Sequence, residues 1–262
     1  MNDPPQTQFN AMPAFTYGHL TMGLLQILRT REEDKRWEKY DGTLTVELTH
    51  SRHGGGWHRT MLGQDFIPLG PPESWDAGMI QPASGPVFLK DEIRFYYSGT
   101  PYGHGGDKGK GAPNSRRPYY LSGKECIGTA SLRVDGFVSL VAGETAGELL
   151  TLPFALKTPE IFLNARTESE GNVRVEVQEE NGEPVAGFPM NECIPMAGDS
   201  LDHRVRWRSD PDGSRIVGKS IRLKVSAQRA ELFSIWMPNG DANPDYRQFQ
   251  EPLFVNPMKD LE

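Results

Sequence analysis

The chain has 262 residues, enough for one large domain or two ordinary ones, and its net charge of −7 argues against a nucleic-acid partner, because phosphate binding needs a basic face. Its two cysteines, Cys126 and Cys193, are too few for a disulfide framework and lack zinc spacing, so we expect free, buried thiols in a reducing compartment. No run of about 18 apolar residues is present, so we expect no membrane span and no membrane partner.

The N-terminal segment MNDPPQTQFNAMPAF has neither the basic nor the apolar region of a secretory signal. The sequence therefore predicts a cytoplasmic protein, or a secreted one if the natural start lies upstream.

The first predicted repeat spans residues 8–70. Its segment LTMGLLQIL is almost continuously apolar, which is typical of a strand buried on both faces. The segment LTVELTHS alternates, with Leu44, Val46 and Leu48 predicted on one face and Glu47 on the other. The HGGG that follows is expected to close a hairpin.

The second predicted repeat spans residues 86–157. The segment VFLKDEIRFYYSG predicts a hairpin that turns at Lys90 and Asp91. A Gly-rich loop follows it, and loops of that length are usually functional or disordered. The two repeats correspond at Arg52 and Arg133, which lie 133 − 52 = 81 residues apart. A repeated four-stranded unit predicts β-propeller blades, and the equivalence favours a structural role for both arginines at blade turns.

Residues 158–237 show a different pattern. Five evenly spaced segments alternate cleanly: EIFLNAR, NVRVEVQ, HRVRWRS, KSIRLKVSA and ELFSIWM. Short antiparallel strands at this spacing predict a jelly-roll-like β-sandwich. Residues 238–262 have no strand pattern and are expected to form a disordered tail or an arm that grips a neighbour. The predicted fold is therefore all-β: about two propeller blades over residues 8–157, then the sandwich.

Two segments carry a resemblance to a known group of proteins: residues 66–105, FIPLGPPESWDAGMIQPASGPVFLKDEIRFYYSGTPYGHG, and residues 127–151, IGTASLRVDGFVSLVAGETAGELLT. With the sandwich that follows, they resemble the C-terminal part of bacterial proteins similar to the five-bladed propeller clan of glycoside hydrolase families 32, 43 and 68. The resemblance covers about residues 10–237. It implies a propeller followed by a sandwich, and activity on a galactoside, fructoside, arabinoside or similar glycoside.

The chain departs from that clan in the number of blades. Five blades close around a funnel in the clan, and this sequence has material for about two. The acidic catalytic residues of the clan come mainly from its earlier blades, and nothing here matches those motifs. The chain is therefore either an inactive remnant or part of a site shared between copies. Unpaired blade edges predict a homo-oligomer.

Glycoside hydrolysis needs two carboxyl groups, one of which is kept protonated by an apolar environment. Asp76 is the first candidate because it follows Trp75 in a turn-rich segment expected at a blade's inner end; the structural alternative is a turn carboxylate that caps backbone N–H groups. Glu73 is a second acidic candidate. His104, between glycines, is a candidate acid, base or hydroxyl-binding group.

Aromatic side chains suit the C–H-rich faces of sugars, so Trp75, Tyr97 and Tyr102 are candidate substrate-binding residues, with rim or core packing as the alternative. Glu125, before a predicted strand, and Asp107, in the Gly-rich loop, are further candidates for substrate binding.

The sequence therefore supports two hypotheses, a glycosidase and a non-catalytic carbohydrate-binding or assembly module. An esterase ranks last because no G-x-S-x-G is present. Neither the phosphate-binding nor the dinucleotide-binding motif is present. We predict no cofactor and no metal ligands; a structural or axial ion is compatible with the clan but is not predicted.

Overall fold

The computed structural model describes residues 3, 7–18, 20–30, 42–52, 55–104 and 125–238. Over these residues the chain is all-β, as predicted, with two sheets and two single-turn 3₁₀ helices at Met190–Glu192 and Gly213–Ile216. Neither sheet closes on itself. In the described part of the chain, no helix has the length and hydropathy needed to cross a membrane.

The chain divides into two compact units between Ser131 and Leu132. The sheet of the first unit contains β1 (Thr7–Phe9), β2 (Ala14–Tyr17), β3 (Leu20–Thr30), β4 (Gly42–Arg52), β5 (His58–Arg59), β6 (Met79–Pro82), β7 (Val87–Phe88), β8 (Glu92–Thr100) and β9 (Cys126–Arg133).

Two groups of strands make up this first sheet. One group is built on the long antiparallel pair β3–β4, and the other on β8, which pairs with β6, β7 and β9. The two groups are joined by a short parallel pairing of β4 with β6, where Leu44 lies opposite Met79. The predicted hairpin around Lys90 and Asp91 is confirmed, since Phe88 pairs with Ile93 across it.

Strands β3 and β4 pair along their whole length, and both of their faces are buried. Leu44, Val46 and Leu48 lie on one face, as the alternation predicts. The opposite face of β4 is also closed to solvent, and Glu47 on that face is 0% exposed. An alternating pattern is typical of a half-exposed strand, so the burial of Glu47 requires partners that the pattern does not reveal.

Two arginines compensate the buried Glu47 carboxylate. The Nε of Arg59 donates to Oε2 of Glu47 at 2.7 Å, and Nη2 of Arg29 donates to Oε1 at 3.2 Å. Each guanidinium also contacts a further carboxylate, Asp3 for Arg59 and Asp65 for Arg29. Positive and negative groups therefore alternate along a chain of contacts with Glu47 at its centre.

The sheet of the second unit contains β10 (Leu140–Ala142), β11 (Gly147–Leu150), β12 (Phe154–Ala155), β13 (Phe162–Glu179), β14 (Asp199–Arg204) and β15 (Ser220–Trp236). The strand order is β10–β15–β13–β14, with β11 and β12 also paired to β15. The core of the unit is the apolar face of β13 and β15, on which Val173, Val175, Ile221 and Leu223 are at most 1% exposed.

The strands of the second unit are fewer and longer than expected. The segments EIFLNAR and NVRVEVQ form one strand, β13, and KSIRLKVSA and ELFSIWM form one strand, β15. Pairing is irregular between Thr167 and Asn172, where a Cβ added at Gly171 would lie 2.3 Å from the carbonyl oxygen of Arg229. The polar residues there form a bulge within a strand, where the sequence suggested a break. The predicted strand HRVRWRS was misplaced, since β14 ends at Arg204.

The division between the units also differs from the expected boundary at 157/158. Residues 140–155, which the sequence assigned to a second blade, form β10, β11 and β12 and pair with β15. These three strands are short, so their sheet partner is decided by long-range pairing and not by their own pattern.

Arg133 anchors the start of the second unit. Its Nε and Nη2 donate to Oδ1 of Asn164 at 3.1 and 2.7 Å, and its Nη1 contacts Asp199 at 2.7 Å. The Nδ2 of Asn164, which is 0% exposed, donates to the carbonyl of Val134. The Arg133 side chain thus bonds other side chains and not turn carbonyls, whereas Arg52 is exposed. The expected equivalence of the two arginines was wrong in this respect.

The two thiols are both free, as predicted, but only one is buried. Cys193 lies in the second core, where burial raises the pKa of its thiol and its sulfur accepts from the backbone N–H of Val175. Cys126 is exposed on β9, so the expectation of a buried thiol there was wrong.

Replacing Glu47 by Gln should destabilise the first unit by about 1.5–3 kcal/mol, because both arginines lose a hydrogen bond to a charged acceptor and keep, among the described residues, only Asp65 and Asp3 as carboxylate partners. Urea denaturation followed by tryptophan fluorescence measures this effect. The matched control is Glu148→Gln, which removes an exposed ion pair with Lys224 and should change the midpoint little. Equal midpoints for Glu47→Gln and the wild type would contradict the assigned role of Glu47.

Candidate functional site

The candidate site begins in the turn segment before β6. The N–H of Ser74 donates to the carbonyl of Pro71, and the N–H of Ala77 donates to that of Ser74, so two turns follow each other directly. The N–H of Gly78 then donates to the carbonyl of Thr100 at the end of β8. This bond ties the turn segment to β8 and holds Trp75 and Asp76 against that strand.

Asp76 is a buried carboxylate bound by two hydroxyl groups. It is 8% exposed. The hydroxyl of Ser74 donates to Oδ1 at 2.8 Å, and the hydroxyl of Tyr97 donates to Oδ2 at 3.0 Å. Since an ionised carboxylate offers about four lone-pair positions, each oxygen keeps capacity for a further donor.

Trp75 and Tyr97 stack next to this carboxylate. Their ring centroids are 5.6 Å apart, and the two planes differ by 11°. Both side chains are half-buried. The two rings therefore form a nearly parallel, offset stack, which we call the aromatic platform, beside the Asp76 carboxylate.

Two strand glycines make room for the platform. A Cβ added at Gly99 on β8 would lie 2.5 Å from Cζ3 of Trp75, and one added at Gly128 on β9 would lie 2.5 Å from its Cη2. A Cβ essentially never lies this close to a carbon atom to which it is not bonded, so any larger residue at either position would displace the indole. Gly99 follows Tyr97 on the same face of β8, and Trp75 occupies the space that a side chain at position 99 would take.

The aromatic platform continues the core of the first unit. Along β8, Ile93 and Phe95 point to the same face as Tyr97 and are at most 2% exposed. The Phe95 ring packs edge-on against Phe66 with centroids 5.5 Å apart. The buried part of β8 therefore continues directly into the half-exposed Tyr97. Core packing thus fixes the base of the platform.

The environment of Tyr97 shifts its titration strongly. Burial, followed by the hydrogen bond to Asp76 and the negative charge of that carboxylate, raises the pKa of Tyr97 from 10.0 to about 12. At neutral pH the hydroxyl is protonated, as in any tyrosine, and it donates this proton to Asp76. The Tyr97 oxygen presents only lone pairs to an approaching ligand.

No cation compensates Asp76 within the described residues: the contacts of its carboxylate are hydroxyls. Glu47 in the same unit differs, because two arginines surround it. The third buried carboxylate, Glu176 in the second unit, accepts from Gln178 and from the backbone N–H of Met190. Asp76 is thus a buried negative charge placed beside an aromatic pair.

The structure brings together three of the sequence-predicted site residues, namely Trp75, Asp76 and Tyr97. Glu73 lies at the tip of the turn segment, exposed and with a φ of 73°. Its side chain points into solvent and makes no contact with the Asp76 cluster in the described structure.

The remaining predicted residues lie around this cluster. Tyr102 and His104 follow the end of β8; the backbone of Tyr102 packs on Gly78, and the N–H of His104 donates to the carbonyl of Gly42 at 2.8 Å. Glu125 is half-buried directly before β9. Asp107 lies outside the described residues.

Sequence reasoning missed Ser74, which bonds Asp76, and the two glycines under Trp75. An isolated glycine inside a strand indicates the close approach of another group, and both Gly99 and Gly128 fit that rule. The identity of the approaching group could not be deduced, since Trp75 is distant from both glycines in sequence.

The imidazoles of His50 and His58 lie opposite each other on the paired strands β4 and β5, with ring centroids 5.7 Å apart. Among the described residues, no cluster of three or more His, Cys, Asp or Glu side chains could hold a metal ion.

Comparisons of the chain with protein-family models, with curated proteins and with solved structures find no match.

Spectroscopic titration should show one tyrosine that ionises well above the others, and Tyr97→Phe should remove it. Because the folded-state pKa lies above the ordinary value of 10.0, the stabilisation is complete below pH 10 and is lost as the pH rises toward about 12. Asp76→Asn should lower the late pKa only in part, since burial is the larger cause. A wild-type titration without a late phase would contradict this environment.

Gly128→Ala should destabilise the first unit by about 1–3 kcal/mol, since the new methyl group overlaps the Trp75 ring. Near-ultraviolet circular dichroism should also lose the signal of the ordered aromatic pair. Gly56→Ala is the control, because a Cβ there meets nothing within 4 Å. Identical spectra and midpoints for Gly128→Ala and wild type would show that Trp75 does not lie on Gly128.

Proposed function

We propose that this protein binds carbohydrate at the aromatic platform of Trp75 and Tyr97. The observation that carries the proposal is the near-parallel arrangement of two half-exposed rings beside a buried carboxylate. A sugar ring has C–H-rich faces and a rim of hydroxyl groups. The platform matches the faces, and the acceptor atoms beside it match the rim.

Three acceptors are available for sugar hydroxyls. Asp76 has unused lone pairs on both oxygens, and the oxygens of Ser74 and Tyr97 have donated their own protons to it. Hydrogen bonds to a charged acceptor are stronger than neutral ones, so Asp76 would orient the bound sugar most strongly. The turn segment and β8 are tied together, which keeps these acceptors in place without a ligand.

The proposal also includes the architecture of the two units, as propeller blades in the first and a jelly-roll-like sandwich in the second. The two strand groups in the first sheet, one on β3 and β4 and the other on β8, support an origin in two propeller blades. The long paired strands β13 and β15, with short strands on both sides, support a jelly-roll-like sandwich in the second unit. This combination resembles the arrangement in propeller glycosidases and supports a carbohydrate ligand by analogy only.

Glycoside hydrolysis is the second candidate function, and Asp76 favours it. A buried carboxylate beside aromatic rings is suitable to accept a proton or to stabilise positive charge on a sugar. The reaction also requires another carboxyl group, about 5–5.5 Å away for retention or about 6.5–9.5 Å away for inversion. Glu73 of the same chain, or a carboxylate from another copy, would have to supply it. Because the described contacts of Asp76 are hydroxyl groups and not a second carboxyl group, we place carbohydrate binding before hydrolysis.

Calorimetric titration with a panel of mono- and oligosaccharides tests binding. At least one sugar should bind the wild type, and Trp75→Ala should weaken its affinity about tenfold or more, as truncation of a central aromatic contact usually does. Trp57→Ala is the matched control, since Trp57 is a partly exposed indole of the same unit outside the platform. It should leave the affinity unchanged.

The same panel, offered as nitrophenyl glycosides, separates the two functions. Hydrolysis of one glycoside that is lost in Asp76→Asn would favour the glycosidase. Failure of every sugar to bind to the folded protein, or equal weakening by Trp57→Ala and Trp75→Ala, would overturn the proposed site.

A further inference from the structure

We infer that the ligand of the aromatic platform is an amino sugar that carries a free ammonium group, and not a neutral sugar. This inference rests on the proposed function and narrows its ligand class. Three properties of the site lead to it: the commitment of its hydroxyl protons, the uncompensated charge of Asp76 and the presence of the aromatic faces.

The hydrogen-bonding groups of the site are acceptors toward a ligand. The hydroxyl protons of Ser74 and Tyr97 both point to Asp76, at donor–acceptor distances of 2.8 and 3.0 Å. Each hydroxyl oxygen therefore offers lone pairs, as does the carboxylate itself. A neutral sugar hydroxyl both donates and accepts hydrogen bonds. None of Ser74, Asp76 and Tyr97 has a further proton to donate to it. An ammonium group only donates, so it matches the trio fully.

The charge of the site is also unbalanced. Asp76 is 8% exposed, and none of its contacts in the described structure is a cation. Burial weakens screening by water, so a positive group that reaches the Tyr97 oxygen still interacts strongly with the carboxylate 3.0 Å behind it. The buried Glu47 shows how this chain compensates a carboxylate that has a purely structural role, because it places two arginines beside it.

The aromatic platform favours the same ligand. The faces of Trp75 and Tyr97 carry the negative part of the ring quadrupole, which attracts a cation within about 6 Å. The same faces pack against the apolar side of a sugar ring. A hexosamine combines these two features, since its ammonium group and its C–H face belong to one ring. A simple cation lacks the face, and an N-acetylated sugar lacks the charge.

Binding of glucosamine, N-acetylglucosamine and glucose, with galactosamine and galactose as a second series, tests the inference. Affinities are measured by calorimetry at mildly acidic pH, where the amino group is charged. The free amino sugars should bind about tenfold to a hundredfold more tightly than their acetylated and neutral counterparts, as expected for a hydrogen bond from a charged donor.

Two variants assign the preference to the site. Asp76→Asn keeps the shape of the side chain but removes its charge, so it should weaken the binding of amino sugars more than that of neutral sugars and abolish the preference. Tyr97→Phe keeps the ring, removes one acceptor and should reduce the preference, which provides a test even if Asp76→Asn fails to fold. Glu176→Gln is the control, because it removes another buried carboxylate that lies in the second unit, outside the site, and the preference should persist.

The possible outcomes distinguish the preference for an ammonium group from the proposed binding of carbohydrate. Neutral sugars that bind as tightly as amino sugars would overturn the ammonium preference and leave carbohydrate binding intact. A preference that persists in Asp76→Asn would also overturn it. If no sugar in either series binds at all, and the wider panel also fails, both the inference and the proposed function are wrong.

Discussion

The pair of hydroxyl hydrogen bonds to the buried Asp76 carboxylate is the interaction on which the candidate site depends. Through Ser74 it sets the conformation of the turn segment, and through Tyr97 it ties that segment to β8. The Trp75 ring lies between these two attachments and stacks on the Tyr97 ring. Without the carboxylate, two half-buried hydroxyls would lose their acceptor, and the Trp75 and Tyr97 side chains would lose the hydrogen bonds that link the turn segment to Tyr97.

The two buried carboxylates of the first unit illustrate different uses of the same group. Glu47 is surrounded by Arg29 and Arg59, and this arrangement satisfies a charge that cannot reach water. Asp76 is satisfied by neutral hydroxyls and keeps its charge available. A protein that leaves a buried charge without a counter-ion sacrifices stability at that position, and such positions are often binding or catalytic sites. The contrast between Glu47 and Asp76 therefore supports a functional interpretation of the second.

Much of the first unit could be predicted from local sequence pattern. The buried strand β3, the alternation of β4 and the hairpin before β8 follow from periodicity and turn residues alone. Residue chemistry also identified Trp75, Asp76 and Tyr97 as candidates. Their contact could not be predicted, since Tyr97 is 21 residues from Asp76 and the two meet only through the pairing of β6 with β8. The partners of Glu47 could not be predicted for the same reason.

In the second unit, the bulge at Gly171 joins two predicted strands into one, because register with β15 outweighs the local turn-like sequence.

The central claim is that a sugar ring packs on Trp75 and Tyr97, and the indole N–H resonances of the protein test it most directly. The chain has five tryptophans, so an ¹⁵N-labelled sample gives a small set of indole signals that single substitutions can assign. On titration with glucosamine, the account predicts that the Trp75 signal shifts in a saturable way while those of Trp207 and Trp236 in the second unit stay unchanged. A saturable shift at another tryptophan with none at Trp75, or no shift at any, would contradict the account.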